Sequence, residues 1–153
     1  MSLWGWPGAV ATAGLVVALD QGTKQLAIAH VARGDQVNVF FGLDIANTRN
    51  SGVAFGVLQD GGVVVGILIG LSMTLLVAYF LRNRQMPWLW LPVGMLLGGA
   101  LGNLADRGRE GAVIDFIDPI ARPAFNLADA FIVSGVLALL YVAEGRPRRA
   151  RSA

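Results

Sequence analysis

The 153-residue sequence contains no cysteine. Disulfides, thiolate metal sites and a cysteine nucleophile are excluded. Histidine is almost absent: His30 stands alone, too few for a multi-histidine metal centre, and reads as an interfacial residue with no role. Charge is scarce too, at 14% of residues against 55% hydrophobic. That balance is too apolar for one soluble domain of this length. The net charge is only +2, and most of the arginine surplus sits in the tail RPRRARS, with nothing aromatic beside it. The tail therefore reads as facing membrane phospholipids, and no nucleic-acid partner is expected. No metal or cofactor is expected either. The N-terminal segment has neither a clear basic leader nor a clear small-residue cleavage site, so it is retained as part of the mature protein.

What the chain does have is hydrophobic length. A membrane-spanning helix needs about 20 largely apolar residues. Segments of about that length occur near 8–32, 61–81, 87–105 and 126–144. The expected fold is a membrane all-α bundle of four transmembrane helices, one integral membrane domain over 1–153. Residues 34–58 have no helical period. Val37, Val39 and Phe41 alternate, Gly42 interrupts, and Leu43 and Ile45 alternate again, which reads as a small β-sheet or hairpin between the first and second helices. Asn50-Ser51-Gly52 is a turn signal. Gly62, Gly66 and Gly70, then Gly94, Gly98 and Gly102, recur every four residues and predict close helix packing, as do Ala130, Ser134 and Ala138.

Four spans alternate in direction, so the end of the first, the end of the third and the start of the fourth share one membrane face. That face receives Asp20 and Lys24, then Asn103, Asp106 and Arg107, then Asn126 and Asp129. The opposite face receives Arg82, Arg84, the arginine tail and Trp4, Trp6, Trp88 and Trp90, an interfacial aromatic belt. Lys and Arg divide equally between the faces, but those on the tryptophan face crowd into short flanks, while the others mix with acids. The positive-inside rule then makes the tryptophan face cytoplasmic, with both termini and the tail 145–153. Segments 33–60 and 106–125 are extracytoplasmic.

Within GAVIDFIDPIARPAFNLAD, Asp129 opens a hydrophobic run, where an unpaired carboxylate is costly. Asn126 is a preferred N-cap and puts Asp129 about one turn, roughly 5 Å, inside the fourth helix. Asp115 taken alone reads equally as a site carboxylate or a solvated loop acid. Paired, Asp115 and Asp129 would share one proton, and the pair could activate water to cut a peptide bond without cysteine, histidine or metal. Asp118, before Pro119, reads as a turn residue. Asp106 beside Arg107 reads as a helix-terminal ion pair, and Asp20 with Lys24, four apart, as a buried structural pair. The alternative is a small proton-coupled transporter using its intramembrane carboxylates.

Five stretches in order, DQGTK, NSGVAF, GGALGNLADR, GAVIDF and FNLAD, resemble those of signal peptidase II, the bacterial prolipoprotein signal peptidase family. The resemblance covers nearly the whole chain. It implies an aspartyl endopeptidase of the bacterial cytoplasmic membrane, its active site at the extracytoplasmic face and its catalytic aspartates at Asp115 and Asp129. Asp20, Lys24, Asn50, Asn103, Arg107 and Asn126 match the family's other polar motif positions, which stabilise the site or contact substrate. The implied partner is a lipid-modified prolipoprotein, cut just before its diacylglyceryl-bearing cysteine. A monomer is expected.

Overall fold

The computed structural model describes residues 5–51, 61–120 and 122–145. They form α1 (Gly5–His30), β1 (Gln36–Phe40), β2 (Leu43–Asn50), α2 (Gly61–Asn83), α3 (Trp90–Glu110), β3 (Val113–Pro119) and α4 (Leu127–Glu144). Each expected hydrophobic segment is a helix. Trp4, Gly52 to Phe55 of NSGVAF and the arginine tail lie outside the described residues.

The third helix departs most from expectation. It starts at Trp90 rather than 87, because Trp88 turns the chain in the left-handed region (φ 63°). It ends at Glu110 rather than 105. Arg107 and Arg109 in its last turn suit the carbonyl end of the helix dipole. Gly111, at φ 70°, closes it by donating its N–H to the Arg107 carbonyl. Asp106 and Arg107 are thus helical, and the expected loop 106–125 shrinks.

The sheet is also larger than a hairpin between the first two helices. Its order is β1-β2-β3, all antiparallel, and the third strand comes from beyond α3. Residues Val113 to Phe116 are all buried, so β3 shows no polar–apolar alternation to betray it. Asp118 is a strand residue opposite Asp44, not a turn residue. After β3 the chain folds back, and Phe125 bridges to Ile117. That return sets Asn126, the start of α4, beside the strand that carries Asp115.

Glycines on α3 decide how the helices meet. A Cβ at Gly98 would lie 2.7 Å from the Ala13 carbonyl oxygen on α1; one at Gly99 would lie 2.6 Å from the Ala128 carbonyl oxygen on α4. Successive helical residues point about 100° apart, so this pair admits one neighbour on each side. Gly94 approaches Ala9 and Thr12 in the same way. The other small-residue stripes fare differently. Among the described residues, nothing lies within 4 Å of a Cβ added at Gly66 or Gly70 of α2. On α4, Ser134 is exposed, and Ala128 and Gly135 form the buried contact with α3 instead. Spacing identified small faces, but not which of them had a partner.

At the end away from the sheet, Trp6 packs edge-on to Phe80 with centroids 5.0 Å apart. Ala9, Phe80, Leu89 and Val93 form a buried cluster there. The start of α1, the end of α2 and the start of α3 therefore meet, as alternating helix directions require. Gly98→Ala should lower stability by about 1–3 kcal/mol, the usual cost of overpacking. Gly70→Ala should not, and thermal unfolding of the two variants in detergent makes the comparison.

Candidate active site

Asn126 is the N-cap of α4, in extended conformation. Its side-chain oxygen accepts the Asp129 backbone N–H at 3.0 Å, and the Asp129 carboxylate accepts the Asn126 N–H at 3.4 Å. This reciprocal capping box satisfies two otherwise orphaned donors and fixes the Asp129 carboxylate at the helix start. Asn103 on α3 donates to its other oxygen at 2.8 Å.

Asp115, only 2% exposed, comes from β3. Asn126 Nδ2 donates to its Oδ1 at 2.7 Å and Asn50 Nδ2 to its Oδ2 at 2.9 Å. Thr48 Oγ1 donates to its backbone carbonyl at 2.9 Å. Asn126 thus touches both carboxylates, through its amide on Asp115 and its backbone on Asp129. The two acids, 14 positions apart, are brought into one cluster. Burial pushes the Asp115 carboxyl above its usual 3.8; the Asn50 bond opposes that, and the charge of Asp129 adds to it.

Behind the pair lies a buried cation. Lys24, fully buried, donates to Asp20 at 2.7 Å and to the Asn103 side-chain oxygen at 3.2 Å, and forms an ion pair with Asp106 at 2.7 Å. Asp20 also accepts the Ala128 N–H at 2.9 Å, one of the orphan donors in the first turn of α4. Asp106 also accepts the Ile114 N–H at 3.2 Å, next to Asp115. The Asp20–Lys24 pair is as the spacing predicts. Asp106, however, pairs with Lys24 and not with the adjacent Arg107, because its side chain points into the bundle.

This cation sets the direction of two amides beside the pair, Asn103 and Asn126. Lys24 cannot accept a hydrogen bond, so Asn103 must present its oxygen there and its NH₂ to Asp129. That oxygen also accepts from Asn126 Nδ2 at 3.1 Å, which fixes the Asn126 amide toward Asp115. Each carboxylate consequently faces N–H donors.

Two further residues escaped the sequence reading. Gln21 donates to Asp106 at 2.9 Å and accepts from Arg109. Its place three residues before Lys24, on the same helical face, was the available signal. Thr48 had none, since its position depends on the β2–β3 register. Arg107 donates to the Asn103 backbone carbonyl at 3.3 Å; its Nε is buried without a hydrogen-bond partner among the described residues. Among those residues no group of three or more His, Cys, Asp or Glu side chains is placed to hold a metal ion.

The raised pKa of Asp115 has a consequence for stability. The contribution tied to its protonated form is fully present below about 3.8 and is lost as pH rises through the higher folded-state value. Thermal midpoints of the protein should therefore fall over that rising window, and Asp115→Asn should remove this part of the pH dependence. An identical profile in the variant would contradict it.

The sequence profile of the family described as signal peptidase (SPase) II matches residues 12–143. The lipoprotein signal peptidase of Syntrophus aciditrophicus is 41% identical over 140 residues, covering 84% of this chain and 87% of that protein. The lipoprotein signal peptidase of Escherichia coli O157:H7 is 38% identical over 140 residues, covering 86% and 84%. A bacterial membrane enzyme solved by the in meso method at 1.9 Å resolution superposes with a TM-score of 0.81 at 31% identity, covering 92% of this chain and 94% of that one. With its buried carboxylates on the motif positions and its fold shared with a membrane enzyme, the chain belongs to the signal peptidase II family.

Proposed function

We propose that Asp115 and Asp129 are the catalytic pair of an aspartyl endopeptidase that removes the signal peptide from diacylglyceryl-modified prolipoproteins, cutting just before the lipidated cysteine. The observation that carries this reading is Asn126, which hydrogen-bonds to both carboxylates at once. The two carboxyl groups share one proton, and burial biases the Asp115 carboxyl toward its protonated form. The other carboxylate takes a proton from a water molecule, whose oxygen attacks the scissile carbonyl carbon. The protonated acid hydrogen-bonds the carbonyl oxygen as negative charge develops there. The carbon–nitrogen bond then breaks, and a carboxyl returns a proton to the leaving amine. Asn103 and Asn126 hold the two acids in register, and Asp20, Lys24 and Asp106 hold those amides. Arg107, whose Nε has no hydrogen-bond partner among the described residues, suits a substrate carbonyl.

The substrate is held in a bilayer, and the helices suit the same place. By length and composition α2 and α4 can cross a membrane. The charged groups that lower the apolarity of α1 and α3, Asp20 and Lys24 on one and Asp106, Arg107 and Arg109 on the other, lie toward the site end. We read all four helices as spans of the bacterial cytoplasmic membrane, with both termini cytoplasmic, the site at the extracytoplasmic face, phospholipids around the bundle and one chain as the working unit. The transporter reading has no support from the family. Its sites favour the bilayer midplane, whereas these acids gather at one end.

Changing either aspartate to asparagine, in separate variants that fold, should reduce cleavage of a lipid-modified precursor by about 10²–10⁴-fold, the scale of a lost acid–base group. Cleavage near the parental rate by either variant would refute the assignment.

A further inference from the structure

The β1–β2 hairpin ends in an apolar tip that the aspartyl chemistry does not use. Phe41 is 98% exposed and Phe40 71%. Ile120, 84% exposed, joins them from the end of β3: its backbone N–H donates to the Gly42 carbonyl at 3.0 Å, and its side chain lies beside Gly42. Val37 and Val39, also exposed, extend the patch along β1. Residues 36–43, QVNVFFGL, carry no charge, while Arg33, Asp35 and Asp44 stand on either side of that stretch. Large contiguous apolar patches on a folded surface mark an interaction site.

The helices on the same end of the molecule point to the partner. Leu26 near the end of α1 and Leu104 near the end of α3 are exposed apolar residues, and the lateral surface below them is of the same kind. The sheet is joined to this end of the molecule, where the Gly34 N–H donates to the Asn47 carbonyl of β2 at 3.0 Å. We propose that Phe40, Phe41 and Ile120 insert into the head-group and upper acyl region of the leaflet next to the site, as a second membrane anchor separate from the helices. An uncharged apolar tip bounded by polar residues has the amphipathic pattern of an interfacial anchor.

The anchor bears on the site through the sheet. Thr48 of β2 stands opposite Asp115, seven residues from Phe41, or roughly 20 Å along the strand at about 3.3 Å per residue. Arg49 pairs with Glu110 at 2.9 Å and ties β2 to the end of α3. A lipid-seated tip therefore fixes the height of the Asp115 strand above the bilayer. Asp129 takes its height from α4.

The proposal rests on the four-span placement but not on the identity of the catalytic residues, and the absence of cysteine makes it directly testable. Phe41→Cys, Asp35→Cys and Leu71→Cys, each in the full chain and labelled with an environment-sensitive fluorophore, are reconstituted in phosphatidylglycerol–phosphatidylethanolamine vesicles carrying no other protein. Phe41 and Leu71 are exposed sites, so both labels should be tolerated. The expected result is a blue-shifted Phe41 label quenched by lipids spin-labelled near the head group, a Leu71 label quenched by lipids spin-labelled deep in the chain, and an Asp35 label in water. A Phe41 label in water beside a deep Leu71 label overturns the anchor and leaves the span placement standing. A Leu71 label in water overturns the span placement and the anchor with it. A Phe41 label that becomes apolar only when a precursor protein is added also overturns the anchor, and identifies the tip as a substrate contact.

Discussion

A single buried ammonium group orders this site. Lys24 lies on α1, yet its hydrogen bonds to Asp20 and Asn103 and its ion pair with Asp106 reach α1 and α3. Through Asp20 the group reaches the backbone of α4, and through Asp106 the backbone of β3. The elements that carry the two aspartates are thus pinned to one charge. Buried ion groups of this kind give uncertain net stability, since desolvation offsets attraction. Their value here is directional. A donor that cannot accept forces the orientation of Asn103, which forces that of Asn126, and the two amides present N–H groups to both carboxylates.

The division of labour between strand and helix follows from this. Asp129 is held by a local device, the capping box, which any helix start of the same sequence could form. Asp115 is held by a non-local one, since its position needs the β2–β3 register, the return at Phe125 and the amide of Asn126. The glycine pair on α3 is the other requirement, because α1 and α4 must both approach closely for Lys24 to stand behind Asn103. A bulky residue at either glycine would act on the site from well outside it.

Much of this was legible in the sequence, for reasons that differ by residue. Asp20 and Lys24 were readable because four-residue spacing defines a helix face, and Asn126 because its cap chemistry is local. The gathering of polar residues at one end followed from counting spans. The third strand was not readable, because its buried stretch, Val113 to Phe116, has no alternation to display. Asp106 was paired with Arg107 because they are neighbours in sequence, but successive helical side chains diverge, and Lys24 lay on another helix. Gln21 was overlooked although its spacing to Lys24 was on view, and the stripe on α2 misled because small residues permit a close contact without requiring one.

The account stands on two carboxyl groups working as one acid–base unit. The most direct test is the pH dependence of kcat/KM for cleavage of a lipid-modified precursor by the unmodified enzyme. A pair that shares one proton gives a bell, rising as the first carboxyl ionises and falling as the last proton leaves, with the two apparent pKa values belonging to the pair. A profile that rises once and then stays level through neutral pH would contradict joint action, and would leave a single carboxylate as general base.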